Sequence, residues 1–143
     1  MYTLWRLALV SVFALALGAC KKDDPVSITD LVIREAPPGS EVASAYMRMR
    51  NNDNKTYILN YVHSDIADHI EVHRHIYANG KMEMRPVPDM PLDAKATVDF
   101  KPGGYHLMLF GLQREIKVGD KIPIVFEFEK LKPITVVAEV KRL

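Results

Sequence analysis

Two imidazoles and two thioethers, His73, Met84, His106 and Met108, fall at positions that strand geometry can bring to one place. No thiolate accompanies them, because the single cysteine of the chain is Cys20, close to the N-terminus. Thioether sulfur is a soft, neutral donor of little use to hard cations or Zn²⁺, and Cu(I) is the biological ion that prefers it. The donor set points to Cu(I), provided the chain folds so that the four side chains converge.

The elements that must position them are strands. From residue 28 onward short apolar segments alternate with turn residues, and no window holds a helical period through three turns. Strands are expected at 28–36, 42–50, 57–62, 69–77, 81–87, 96–100, 105–112, 122–129 and 134–141. Strong turn signals separate them, among them Pro37-Pro38-Gly39, the run Asn51 to Asn54, Asn79-Gly80 and Pro102-Gly103-Gly104. The fold class is therefore all-β, a sandwich of about eight or nine strands. In 122–129 the residues Ile122, Ile124, Phe126 and Phe128 share a core face, with Pro123 and Glu127 on the other.

Period-two alternation also aims the donors. In 105–112, Leu107 and Leu109 lie on one face, while His106 and Met108 lie on the opposite one with Cα atoms roughly 7 Å apart. Alone, this pair equally describes a partly exposed His beside a packed Met. The second pair comes from a hairpin. Ile70, Val72 and Ile76 mark a core face and leave Glu71, His73 and His75 on the other; Asn79-Gly80 is a strong two-residue turn signal, and Met82 and Met84 share a face on the return strand. With a two-residue loop, Ala78 pairs with Lys81, His75 lies opposite Met84, and His73 is the diagonal neighbour at roughly 7 Å. A glycine-bulge turn would instead bring His73 closer. The residues alone leave open whether His75 or Met82 contributes. Met82 and Met84 also fit a gap-filling role in the core, and His63, His69 and His75 also fit a solvated surface.

The N-terminus carries a different signal. Arg6, the apolar stretch Leu7 to Leu17, and small Gly18 and Ala19 form an export signal over residues 1–19, with an apolar stretch about half of the roughly 20 residues a membrane span needs. Leu17-Gly18-Ala19-Cys20 resembles the lipobox of bacterial lipoproteins, which makes Cys20 the lipidated first residue of the mature chain and rules out an intrachain disulfide. Lys21 after the cysteine resembles the sorting pattern for the outer membrane. Residues 20–27 form the lipidated Cys and tether, and 28–143 one domain. Formal net charge is +1, and Arg6 is the only charged residue in the signal segment, so the mature chain is neutral and gives no argument for nucleic acid. A phosphate loop, a nucleophile elbow and an acid/base constellation are all missing, so an enzyme is not expected.

The spacing of the four donors, H-x10-M-x21-H-x-M, resembles at every step the motif of the periplasmic copper chaperone family called PCuAC. The flanks agree: Ala45 to Asn52, Ile70-Glu71-Val72-His73, Met84-Arg85-Pro86-Val87, and Lys101 to Leu109 followed by Gly111-Leu112. The resemblance covers about residues 29 to 141. It implies a cupredoxin-like, Ig-like Greek-key β-sandwich that binds Cu(I) through His73, Met84, His106 and Met108. It also implies delivery to the CuA centre of cytochrome c oxidase, with the CuA domain or a Sco-type thiol protein as partner; the lipobox separately implies a membrane association through the lipid on Cys20. Two features depart from the family. Many members carry a Met- and His-rich tail where this chain ends Val140-Lys141-Arg142-Leu143, so a second copper site is not expected, and many relatives lack a lipobox. Two further roles stay open: a copper-buffering or tolerance lipoprotein, and a metal-free domain that binds another envelope protein. Electron transfer is not expected, since a blue-copper site needs a Cys thiolate beside two His.

Overall fold

The computed structural model describes residues 24–143, and the signal segment, Cys20 and the first part of the tether lie outside the described residues. Ten strands follow in chain order: β1 Val26–Arg34, β2 Val42–Asn51, β3 Tyr57–His63, β4 Ala67–Ala78, β5 Lys81–Pro86, β6 Met90–Leu92, β7 Thr97–Phe100, β8 Tyr105–Leu112, β9 Lys121–Phe128 and β10 Ile134–Lys141. The all-β expectation holds. The strand count of eight or nine does not, because β6 is added, and Val26, expected in the tether, is a buried first residue of β1.

Pairing runs without interruption through β4, β8, β2, β1, β10, β9 and β3, and the single pair Val62 to Ile70 brings β3 back to β4. The result is one closed, barrel-like sheet rather than the two separate sheets of the expected sandwich. Alternation identifies the buried face of each strand but carries no information about its neighbour, so one inside-outside pattern serves both architectures. β1 runs parallel to β10, and β7 inserts between β2 and β8 at one end. β5 and β6 hang from β4 and β3.

Ile33, Ala45, Leu107, Leu109, Ile124, Phe126 and Val140 are wholly buried inside the ring. The expected core faces of β8 and β9 are those observed. Ile76 differs: it is only partly buried and outside the core, because β4 extends past the ring there to form the hairpin with β5. β6 escaped the strand reading because its centre is Pro91; the proline points outward while Met90 and Leu92 are buried on either side. β1 is interrupted by Asp30, at φ 56°, where the register against β2 shifts.

Asn51 reads in the sequence as the start of a turn, yet it is the fully buried last residue of β2. Its amide Nδ2 donates to the carbonyls of Lys55, Leu92 and Asp93 at 2.8, 3.0 and 3.0 Å, and its Oδ1 accepts from the Asp53 amide at 2.9 Å. One side chain thus binds the 51–57 turn to β6. Asn51→Ala strands these buried groups and should cost about 2–3 kcal/mol, read as a lowered urea midpoint with an unchanged m-value.

Candidate metal centre

The Asn79-Gly80 turn sets the first half of the site. Both residues have positive φ, 53° and 76°, the conformation of a two-residue type I′ turn, and Ala78 pairs with Lys81. The bulged alternative is not formed. His75 is therefore directly opposite Met84, and His73, opposite Pro86, is diagonal to it. On its other edge β4 pairs with β8, where His73 faces His106 and Glu71 faces Met108. β2 then brings Ser44 against Met108, with the hydroxyl 3.7 Å from the sulfur. All four sequence-chosen donors lie on one outward face across three neighbouring strands.

Their exposures differ. His106 is 3 % exposed although it points away from the core, the His73 side chain is 13 % exposed, and Met108 is half-buried. Met84 and Met82 are 50 % and 58 % exposed, which removes the gap-filling alternative for both; Met47, Met49 and Met90 are the methionines that pack the core. His106 is covered by the other imidazoles. Its ring centroid lies 6.0 Å from that of His73 and 5.1 Å from that of His75. Phe110 closes the far end, 5.9 Å from His73 and stacked at 4.9 Å on His69. His63 stands apart, paired with Glu127 at 3.0 Å.

Hydrogen bonds fix which nitrogen each ring offers. The His106 Nδ1–H donates to the Gly104 carbonyl at 3.0 Å, which leaves the Nε2 lone pair free. The His73 Nε2–H donates to the Glu71 carboxylate at 2.7 Å, and its Nδ1 is buried with no partner. The Nδ1 of His75 is likewise buried and unpaired. A buried nitrogen without a partner costs free energy unless something binds it, and here two lie beside a third imidazole and two thioethers. The donor set is the chemistry of a soft, singly charged ion. Among the described residues no three His, Cys, Asp or Glu side chains converge on a point that an ion could occupy.

Sequence reasoning named His73, Met84, His106 and Met108 but not their supports. Glu71 was legible as a face-sharing Glu-x-His pair; Ser44 and the Gly104 carbonyl left no signal, since both depend on cross-strand register. Glu71 also puts a carboxylate one ring away from four neutral donors. Cys20 lies outside the described residues.

Comparison with known proteins gives the family and the fold. The family described as "Putative lipoprotein LpqE-like" matches residues 26–140. The chain belongs to the LpqE-like family. Its fold is that of PCuAC domains: the copper-bound PCuAC domain of PmoF2 superposes with a TM-score of 0.72 at 22 % identity, covering 84 % of this chain and 95 % of that one. The Cu(I)-form solution structure of DR1885 from Deinococcus radiodurans gives 0.71 at 26 % identity over 89 % and 85 %. In sequence, RP573 of Rickettsia prowazekii (strain Madrid E) is 35 % identical over 61 % of this chain and 49 % of its own length. "Putative lipoprotein Lxx21020" of Leifsonia xyli subsp. xyli is 28 % identical over 76 % and 64 %. The LpqE-like chain thus spans between half and two-thirds of these two relatives.

Burial, and secondarily the adjacent His75 and His73, holds the His106 imidazole below its usual value against the opposing pull of the Gly104 carbonyl. The folded domain therefore resists a proton that the unfolded chain accepts near 6.5, and the stability this contributes is present above that pH and lost as pH falls below it. An imidazole NMR titration should place His106 below its usual value of about 6.5, and His106→Gln should flatten the stability loss as pH falls below it.

Proposed function

We propose that this LpqE-like domain carries one Cu(I) on the face shared by β5, β4 and β8, held by His73 through Nδ1, His106 through Nε2, and the sulfurs of Met84 and Met108. The observation that carries the reading is the direct pairing of His73 with His106. Each ring is held by a separate acceptor so that a lone pair is free, and a thioether lies on either side. The copper named in the PmoF2 and DR1885 structures supports the metal, and the thioethers and neutral imidazoles support its reduced state.

Copper is cargo in this reading. The site offers no thiolate, so a partner that does offer thiolates is the stronger competitor for Cu(I), and transfer runs downhill. Met84 is half exposed on the outermost strand, so it is the donor an incoming partner meets first. Glu71 holds the His73 ring in place as ligands change, in the manner of a carboxylate behind a metal-bound imidazole. The proposed acceptor is the CuA domain of cytochrome c oxidase, directly or through a Sco-type thiol protein. The lipobox at Cys20, together with the lipoprotein names of the family and of Lxx21020, supports a lipid-anchored domain facing the periplasm, and Lys21 favours the outer membrane.

The test is anaerobic Cu(I) titration of the mature protein against a competing chelator, followed by mixing the loaded protein with a CuA-domain acceptor. One Cu(I) should bind, with scarcely any affinity for Zn²⁺. The double variant Met84→Leu, Met108→Leu should lose Cu(I) affinity while unfolding at nearly the wild-type denaturant midpoint, since Leu is close to Met in volume. An unchanged affinity would remove the thioethers from the site.

Loss of the gene separates delivery from buffering. Delivery predicts low cytochrome c oxidase activity when copper is scarce, rescued by added copper. Buffering predicts sensitivity to excess copper with an intact oxidase. A strain normal under both conditions would move the metal-free envelope-interaction role to the front.

A further inference from the structure

β4 presents two imidazoles to His106, and only one of them belongs to the four-donor set. His73 and His75 are two residues apart on the same face, and each keeps a buried, unpartnered Nδ1. The His106 ring lies nearer to His75, at 5.1 Å, than to His73, at 6.0 Å.

The surroundings of the two differ in kind. His73 is tied to Glu71, and Glu71 lies opposite the half-buried Met108, so this end is the more enclosed one. His75 is directly opposite Met84, and the next pair toward the turn is Tyr77 with Met82, 74 % and 58 % exposed. This end opens to solvent along a line of soft donors. Among the described residues no three His, Cys, Asp or Glu side chains converge on one point, so in this arrangement His73, His75 and His106 do not share a single position for an ion.

We propose that His75 is a second imidazole donor that exchanges with His73 about His106, giving Cu(I) an outward stop with His106 and Met84 through which it enters and leaves; this rests on the Cu(I) reading above. In the step the bonds from copper to His73 Nδ1 and to the Met108 sulfur break as the bond to His75 Nδ1 forms, which leaves the ion three-coordinate at the outward stop. Both rings are neutral, the metal stays Cu(I), and no electron or proton is transferred. His106 and Met84 stay bound throughout, so the ion is never released to solvent between the two positions. An intermediate of this kind lowers the barrier in both directions and leaves the equilibrium almost untouched. Affinity and transfer rate should therefore respond to different residues.

The experiment compares mature wild type, His73→Ala and His75→Ala, measuring Cu(I) affinity against a chelator and, by stopped flow, the rate of Cu(I) transfer to a dithiol peptide. His73→Ala should lose at least about tenfold in affinity. His75→Ala should keep its affinity within about threefold and transfer Cu(I) roughly tenfold more slowly. A His75→Ala rate equal to wild type overturns the proposal, as does a loss of affinity equal to that of His73→Ala, which would make His75 a permanent ligand. Wild type that binds no Cu(I) at all overturns the underlying reading instead. Should His75→Ala fold poorly, long-range imidazole ¹⁵N spectra of wild type loaded with Ag(I), a soft surrogate, decide the matter. Metal-dependent shifts or exchange broadening at the Nδ1 of both His73 and His75 support exchange, and an unperturbed His75 overturns it.

Discussion

The register of β4 is the constraint on which every part of the site depends. β4 is the strand that contacts both others carrying donors, pairing with β5 on one edge and β8 on the other. A slip of one residue against β8 would send His73 inward and turn Ile70 and Val72 out to water. Burial of such side chains is worth about 1.5–3 kcal/mol each, far more than the fractions of a kcal/mol at stake in a cross-strand pair. The apolar side of β4 therefore fixes where the polar side points. The Asn79-Gly80 turn does the same for β5, since its two positive φ values admit only the register that places Met84 across from His75.

Once the register is fixed, hydrogen bonding decides what the rings can do. A neutral imidazole has one lone pair, and its direction is set by whatever accepts from the other nitrogen. The Gly104 carbonyl and the Glu71 carboxylate accept from opposite nitrogens of the two facing rings, so His106 and His73 present different atoms toward the space between them. Glu71 is on the same strand face as His73, two residues earlier, and this pairing follows directly from strand periodicity. In the proposed Cu(I) site it would place a negative charge behind the His73 ring rather than on the ion, easing the burden of a cation among neutral donors without adding a hard oxygen donor.

Much of this was legible in the sequence because it depends on period-two alternation and on one strong turn. The faces of β8 and β9, the hairpin pairing and the common side of His106 and Met108 all follow from local pattern. What was not legible depends on contacts distant in the chain. Ring closure rests on one pair between β3 and β4, and nothing local in Val62 or Ile70 announces it. Asn51 looks like a turn residue, and its burial is set by carbonyls about 40 residues away on and after β6. His106 was aimed correctly, but its near-complete burial on an outer face comes from the neighbouring rings of β4. The methionines show the same division. Composition cannot separate Met47 and Met49, which fill the core, from Met82 and Met84, which lie on a strand paired along one edge.

The outer position of β5 sets the character of the face. Rapid electron transfer favours a metal whose ligands do not move, enclosed by several strands and held by a thiolate. This face has the opposite character. Two of its donors, His73 and His106, are held by hydrogen bonds on strands paired along both edges, and a third, Met84, stands half exposed on a strand with a free edge. Thioethers are also the weakest charge donors in the set, so the ligand most accessible to an incoming sulfur is one of those that binds least tightly. Rigidity at one end and exposure at the other give a direction to ligand exchange: an approaching partner meets Met82 and Met84 first, and reaches Glu71-supported His73 last. Under the proposed Cu(I) reading, that gradient favours a site that surrenders its ion to another protein over one built for storage alone.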